Sequence, residues 1–123
     1  MILNNPRVQR ERVLSKAICN LSQSYGFSGK ELSEITGMSE ASVSRLYQGK
    51  KLISAGSKEG EIAVLLIRIY RSLNAMVGNN HEKAKAWLNH SNHYFQNKPI
   101  NALKSISGLV QVLNYLDAMR GKL

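Results

Sequence analysis

The sequence predicts an all-α protein, and three features of its 123 residues support that fold class. Apolar residues recur at steps of three and four along most of the chain, as they do on the buried face of a helix. Serine or asparagine precedes several of these periodic segments, and glycine follows them, as expected at helix starts and ends. No segment alternates apolar and polar residues with the period of two that a half-buried strand requires.

The first predicted helix runs from Arg7 to Tyr25, and Gly26 ends it because glycine tolerates the positive φ of a helix terminus. Its buried face is predicted to consist of Leu14, Ala17, Ile18, Leu21 and Tyr25. Cys19 lies on the same apolar stripe, so we expect it to pack as a small hydrophobic residue rather than act as a reactive thiol. As the single cysteine, it forms no internal disulfide.

Two short helices joined by a tight turn follow. Ser28 is placed to cap the first, with Glu31 at the spacing of a capping box. Ser39 is placed to cap the second, which we expect to end at Gly49. Because residues 37–39 alone connect them, the two helices are predicted to cross steeply, as in a helix-turn-helix motif.

The second short helix is predicted to bury Val43 and Leu46 and to expose short or hydrogen-bonding side chains, which fit a DNA major groove. Arg45 can donate to guanine O6 and N7, and Glu40 can accept from cytosine N4. Nearby serines, lysines and helix N-terminal amides suit phosphates. The predicted DNA-binding residues are Ser28, Lys30, Ser39, Glu40, Ala41, Ser42, Ser44, Arg45, Gln48 and Lys50.

A segment without helical period, Gly49 to Ser57, is predicted to be a linker. It divides the chain into a helix-turn-helix domain with its linker, residues 1–56, and a second helical domain, residues 57–123. The second domain is predicted to begin with a long helix from Lys58 to Val77, which Gly78 ends.

Three further helices are predicted in the second domain. Asn80 is placed to cap the first of them, and a polar loop, Asn89 to Asn97, follows it. Pro99 suits the first turn of a short helix through Ser105. Ser107 is predicted to cap the last helix, and Gly121 to end it.

Composition excludes several classes of function. A formal charge of +9 favours a polyanionic or acidic partner. The longest apolar run, Ile62 to Ile67, is too short to cross a bilayer, and the polar N-terminus does not resemble a signal peptide, so we expect a cytoplasmic protein without a membrane partner. No catalytic constellation, phosphate-binding loop or metal-ligand pattern is visible, so we expect neither an enzyme nor a cofactor or metal.

Residues 28–50, SGKELSEITGMSEASVSRLYQGK, resemble the helix-turn-helix of Xre-type repressors. Alignment on Gly37 and Gly49-Lys50 places Glu40, Ala41 and Arg45 where that family reads bases.

The second half of the chain contains a series of features in one order: Gly78, Ala86-Trp87-Leu88, Asn92, Pro99, Gly108, Val112 and Tyr115-Leu116. With these features it resembles the toxin-binding domain of Xre/MbcA/ParS antitoxins. The loop has Tyr94-Phe95-Gln96-Asn97 where the family commonly has a Leu-Gly-Gly-like turn.

The resemblance implies a homodimeric, all-helical antitoxin whose partner is a RES-domain toxin that depletes NAD. It also implies repression of the antitoxin's own operon through double-stranded operator DNA. Because a dimer carries two recognition helices related by a two-fold axis, the operator is expected to be an inverted repeat. The C-terminal helix and tail would block the entrance to the toxin active site. Two adjacent aromatic residues in a polar loop cannot easily both point inward, so one of Tyr94 and Phe95 is expected to touch a partner. The predicted toxin-binding residues are Tyr94, Phe95, Leu116, Met119, Arg120, Gly121, Lys122 and Leu123.

Two alternatives remain open from the sequence. One is a stand-alone helix-turn-helix repressor whose C-terminal domain only dimerises. The other is an interaction adaptor whose helix-turn-helix no longer binds DNA, which a weak, sequence-indifferent and salt-sensitive DNA affinity would indicate. Each half carries a basic surplus, with eight basic and four acidic residues in 1–56 and nine and four in 57–123, so charge alone does not separate these functions.

Overall fold

The computed structural model describes residues 5–121, and these residues confirm the all-α prediction. In chain order the helices are α1 (Pro6–Tyr25), α2 (Gly29–Thr36), α3 (Glu40–Tyr47), α4 (Lys58–Met76), α5 (His81–Asn89), α6 (Pro99–Ala102) and α7 (Ile106–Arg120). No strand forms within that range; an isolated bridge joins Asn92 to Asn97 in the loop before α6. None of these helices is long and apolar enough to cross a lipid bilayer.

Side chains cap three of the helices at the predicted positions. The Ser28 hydroxyl accepts from the Glu31 amide at 3.0 Å, and the Glu31 carboxylate accepts from the Ser28 amide at 2.9 Å, which completes the capping box. The Ser39 hydroxyl caps α3 and the Asn80 side chain caps α5, each by accepting from the amide three residues later.

The prediction that Ser107 caps the last helix is wrong. Ser105 caps α7 instead, and its hydroxyl accepts from the Gly108 amide at 3.0 Å. The sequence Ser105-Ile106-Ser107 contains two serines, and either could cap a helix that begins at the next residue. Because α6 ends at Ala102, earlier than predicted, the chain re-enters a helix at the first of the two serines.

Helix α4 is the centre of the packing. It packs most extensively against α7 and also packs against α1, α2 and α5. Its inward face contributes Leu66, Ile69 and Leu73, each no more than 1% exposed, to a hydrophobic core that spans both halves of the chain. Helix α2, the first helix of the helix-turn-helix, and the C-terminal helix α7 therefore pack against the same helix, α4.

The segment between α3 and α4 is irregular, as predicted, but it is packed against α1. Ile53 is completely buried, and its amide donates to the Ser15 hydroxyl at 2.8 Å. The Ala55 amide donates to the Glu11 carboxylate, also at 2.8 Å. These bonds to α1 fix the path of the segment, whereas the domain division at residues 56 and 57 stays a sequence-based prediction.

Candidate DNA-binding helix and candidate toxin-binding surface

The turn between α2 and α3 is held by hydrogen bonds from side chains. The Thr36 hydroxyl donates to the Leu32 carbonyl at 2.7 Å and accepts from the Met38 amide at 3.2 Å. The Ser33 hydroxyl donates to the Met38 carbonyl at 2.5 Å. Gly37 has φ 81°, and Met38 is buried beside it. The direction in which α3 leaves the turn is therefore determined by buried contacts.

Helix α3 is anchored by Val43 and Leu46, which are 1% and 4% exposed. Its outer face carries the residues that the sequence predicts to contact bases. Glu40, Ala41, Ser44, Arg45 and Gln48 are exposed, and Ser42 is half-buried. The Arg45 guanidinium donates to the Ser42 hydroxyl at 3.2 Å, and the Gln48 amide donates to the Ser44 hydroxyl at the same distance. These long hydrogen bonds on the surface can be exchanged for bonds to base edges at little cost.

The predicted phosphate-contacting residues lie around α3. Lys30 and Lys50 are exposed, and neither forms an ion pair within residues 5–121. Ser28 and Ser39 are exposed at the first turns of α2 and α3. Their hydroxyl oxygens accept from helix amides, so each hydroxyl proton is still available to a phosphate oxygen.

The structure adds basic residues that the sequence did not place near α3. Arg12 and Lys16 of α1 lie beside Tyr47, Gly49 and Lys51, around a cleft of 260 Å³ at the end of the recognition helix. Both side chains are exposed and without an ion pair in the described part of the chain. The signal in the sequence is their spacing of four on the polar face of α1, but only the packing of α1 on α3 shows where that face points.

Cys19 is half-buried between α1 and α3, with its sulfur 4.0 Å from the Leu46 carbonyl oxygen. Burial raises the pKa of the Cys19 thiol above its ordinary value. A thiol with a raised pKa is a weak nucleophile at neutral pH, so this residue acts in packing.

In the second half of the chain, the position of Leu116 disagrees with its prediction as a toxin contact. Its side chain is fully buried between α7 and α4, because it continues the apolar face of Leu109, Val112 and Leu113. Leu116 therefore stabilises the fold and is not presented to a partner. Met119, one turn later, is half-buried, and Lys122 and Leu123 lie outside the described residues.

Four aromatic rings form a cluster where the α5–α6 loop meets α7. The ring centroids of Trp87, Phe95 and Tyr94 lie 6.0, 5.3 and 4.7 Å from that of Tyr115. Trp87 and Phe95 are half-buried, whereas Tyr94 is 56% exposed. Of the two adjacent aromatic residues in the loop, Tyr94 is thus the one with a large free surface.

The loop that carries Tyr94 is closed by its own backbone. The Asn92 amide donates to the Asn97 carbonyl at 2.9 Å, and the Asn92 side chain accepts from the Tyr94 amide at 2.8 Å. Gln96 takes a positive φ of 56° in this turn. The tyrosine is therefore presented from a loop that is closed by hydrogen bonds on both sides of it.

The end of α7 is tied to α4 by a polar cluster. The Ser72 hydroxyl, 2% exposed, donates to the Asp117 carboxylate at 2.6 Å and accepts from the Arg120 guanidinium at 3.0 Å. Arg120 also lies 4.0 Å from the Asp117 carboxylate. Arg120, a predicted toxin contact, therefore has hydrogen-bonding and ionic partners in its own chain.

The histidines do not converge. His90 Nδ1 lies 2.6 Å from the Ala86 carbonyl, and His81 Nε2 lies 3.5 Å from the Tyr70 hydroxyl. Within residues 5–121, no group of three or more His, Cys, Asp or Glu side chains is arranged to hold a metal ion.

The fold and these surfaces define a class of protein, in which a helix-turn-helix with an exposed polar recognition helix is joined to a helical domain with an aromatic surface. Comparison with family models identifies both parts. The Xre-like helix-turn-helix domain of antitoxins matches residues 6–68. The C-terminal toxin-binding domain of Xre/MbcA/ParS antitoxins matches residues 72–122. A search of curated proteins found no match.

The chain belongs to the Xre/MbcA/ParS-type antitoxins. It is an antitoxin of a toxin–antitoxin system, with a helix-turn-helix domain and a toxin-binding domain, and neither domain is of an enzymatic family. The two matches meet inside α4, the helix that packs against both halves of the molecule.

Proposed function

We propose that this antitoxin blocks a RES-domain, NAD-depleting toxin and represses its own operon as a homodimer bound to an inverted-repeat operator. The observation that carries the DNA half of the proposal is the outer face of α3, where Arg45, Ser44 and Gln48 are exposed between buried apolar anchors. Packing within the chain does not require that polar face. The toxin half rests on the family of residues 72–122 and on the exposed Tyr94 beside the C-terminal helix.

Arg45 tests sequence-specific binding. If its guanidinium reads one guanine, Arg45→Ala costs about 1–3 kcal/mol on the native operator and much less on an operator changed at that base pair. Binding is measured by fluorescence anisotropy on both DNAs. Lys83→Ala, on the exposed face of α5, is the matched control and leaves both affinities unchanged. An equal loss on every sequence would instead make Arg45 a phosphate contact.

Arg12 and Lys16 test the wider DNA surface. We propose that they contact phosphates beyond the end of α3, because they line the cleft there and have free charges. Each replacement by glutamine should weaken binding about equally on all sequences and reduce the slope of log K against log salt by about one. An unchanged salt slope would exclude both residues from the interface.

The toxin is tested by co-expression. The gene is placed beside its immediate genomic neighbour, and only the neighbour carries a tag. Co-purification of the pair together with rescued growth supports the proposal, and NAD measured in cells that express the neighbour alone identifies the toxin chemistry. A harmless neighbour that does not bind would favour a stand-alone repressor whose second domain only dimerises.

The tail is tested by deleting residues 121–123. We expect operator binding to persist and neutralisation of the toxin to fail, because the deletion removes chain that follows α7 and leaves the Ser72–Asp117–Arg120 cluster in place. Tyr94→Ala is expected to weaken the complex with the toxin without changing DNA affinity. Full neutralisation by the deletion variant would show that the tail does not enter the toxin.

A further inference from the structure

A mostly apolar groove lies between α1 and α4, and none of the residues that line it belongs to either proposed surface. Its volume is 590 Å³. The apolar part of its wall consists of Pro6, Val13, Leu14, Ala17, Ala55, Val64 and Ile67. Val13 is 69% exposed and Val64 is 49% exposed, so the groove and its rim present valine side chains directly to solvent.

The outer face of α4 next to this groove carries charges in a symmetric arrangement. Glu61 precedes Val64 by one turn, and Arg68 follows it by one turn, so all three lie on one stripe of the helix. Glu61 and Arg68 are exposed, and neither forms an ion pair within residues 5–121. An acidic and a basic group thus stand on opposite sides of an exposed valine.

This arrangement is complementary to itself. If two α4 helices pack antiparallel about a two-fold axis between residues 64 and 65, Glu61 of one copy faces Arg68 of the other, and the same pair forms a second time. Each charge then lies about 5 Å along the helix from the axis, at 1.5 Å per residue. Val13, which projects from α1, can occupy the groove of the other copy. A two-fold interface uses the same patch on both subunits, which these features allow.

We propose that the α1–α4 groove is the surface through which two copies of this chain form a dimer. The inference rests on the proposed function, because an inverted-repeat operator requires two recognition helices related by a two-fold axis. Arg10 and Arg71 stand at the rim of the groove, where their aliphatic stems cover apolar surface while their guanidinium groups remain in water. In the antiparallel register Arg71 lies level with Lys58 of the other copy, and because both side chains are exposed, water and salt screen their repulsion.

The test is the oligomeric state of the purified chain, free of DNA and toxin, by analytical ultracentrifugation over a range of concentrations. Glu61→Arg and Arg68→Glu each create two like-charge contacts across the axis, so each should raise the dissociation constant at least about tenfold. The double variant restores both pairs in the reversed sense and should recover the dimer. Val13→Asp should give a monomer.

Matched controls distinguish an effect on the proposed dimer surface from an effect of net charge or of unfolding. Glu82→Arg changes the net charge as Glu61→Arg does, but on the exposed face of α5, and should leave the dimer intact. Val110→Asp places an acid at a 40% exposed valine of α7 and should also have no effect. Circular dichroism confirms that Val13→Asp keeps its helices.

A wild-type monomer at all concentrations would overturn the proposal, and so would a dimer that survives both Val13→Asp and Glu61→Arg. Failure of the double variant to recover the dimer would overturn the antiparallel register. Loss of toxin co-purification by Val13→Asp, with the dimer intact, would show that the toxin occupies the groove instead. A dimer that binds no operator would count against the proposed function alone.

Discussion

Among single residues, Tyr25 shows most clearly how a polar atom is accommodated in the core. Its side chain is 2% exposed, and its hydroxyl donates toward the Asn74 side-chain oxygen at 3.1 Å, with the Tyr70 carbonyl at 3.4 Å. Asn74 is itself 7% exposed, so the pair satisfies two buried polar groups. The pattern of α1 predicted Tyr25 in the core, but its partner is far away in the sequence.

Tyr25→Phe should lower the free energy of unfolding by about 1–2 kcal/mol, because it removes a hydrogen bond and leaves the Asn74 oxygen buried with fewer donors. Urea denaturation followed by circular dichroism measures the change. Tyr94→Phe is the control, since the Tyr94 ring lies at the surface, and its stability should stay near that of the wild type. Equal stability of Tyr25→Phe and wild type would mean that the hydrogen bond contributes nothing net.

Tyr25 also predicts a pH dependence of stability. Burial, with a smaller effect of the neighbouring Tyr70, raises the pKa of Tyr25 well above its ordinary value of 10.0. Above about pH 10 the unfolded chain releases this proton while the folded chain keeps it, so the unfolded state binds fewer protons and stability falls as pH rises. Below about pH 10 the contribution of Tyr25 is fully present.

The measurement is the free energy of unfolding from about pH 8.5 to about pH 11 for wild type and Tyr25→Phe. All other ionisable groups are common to the two proteins, so the difference between the two curves isolates Tyr25. That difference should shrink as pH rises. A constant difference would show that the pKa of Tyr25 is not raised by folding.

At the scale of secondary-structure elements, glycine is required at two positions, 37 and 108, for different physical reasons. Gly37 ends α2 with φ 81°, and a Cβ there would meet no atom within 4 Å. Gly108 lies in the first turn of α7, where a Cβ would overlap the Ala102 carbonyl at the end of α6. The first glycine provides a left-handed turn, and the second lets two helices approach closely.

Gly108→Ala should therefore destabilise the protein by about 3 kcal/mol, because the backbone of α6 has to move away from α7. Gly37→Ala should cost about 1–2 kcal/mol through its left-handed conformation alone. Gly29→Ala, in the first turn of α2 with nothing within 4 Å, should be neutral or slightly stabilising. Thermal unfolding of the three variants checks this order, and a Gly108→Ala variant as stable as Gly29→Ala would contradict it.

At the scale of the whole molecule, α4 couples the DNA-binding half to the toxin-binding half. The same helix packs against α7 and against α1 and α2, and the hydrophobic core continues across both halves. We therefore expect one cooperative unfolding transition rather than two. The fluorescence of Trp87 reports on the second half, and circular dichroism reports on all helices, so the two urea curves should coincide.

A variant in α4 tests whether the two unfolding curves coincide because the halves unfold together or because their stabilities happen to be equal. Leu73 lies at a fully buried position of α4. Leu73→Ala should lower the free energy of unfolding measured by either probe by about 2–5 kcal/mol, the usual cost of a large-to-small change in a core. If the Trp87 curve moved while the circular dichroism curve split into two steps, the halves would be independent folding units.

Local sequence determined the helices and their ends. Periodic apolar residues, the Ser28 and Ser39 caps and the glycines after α1 and α2 act over a few residues, so the all-α class and the helix-turn-helix could be predicted without tertiary information. The exposed face of α3 followed from the same periodicity. The cap of α7 was missed because two serines satisfy the same local rule.

Tertiary structure decided what depends on residues far apart in the chain. Leu116 is core because α7 packs along α4, Arg120 is bonded because Ser72 lies beside it, and Arg12 stands near α3 because α1 crosses it. The α1–α4 groove likewise exists only once the two helices pack. Helix periodicity shows which side chains share a face, but the direction of that face depends on packing between distant segments, which no local pattern records.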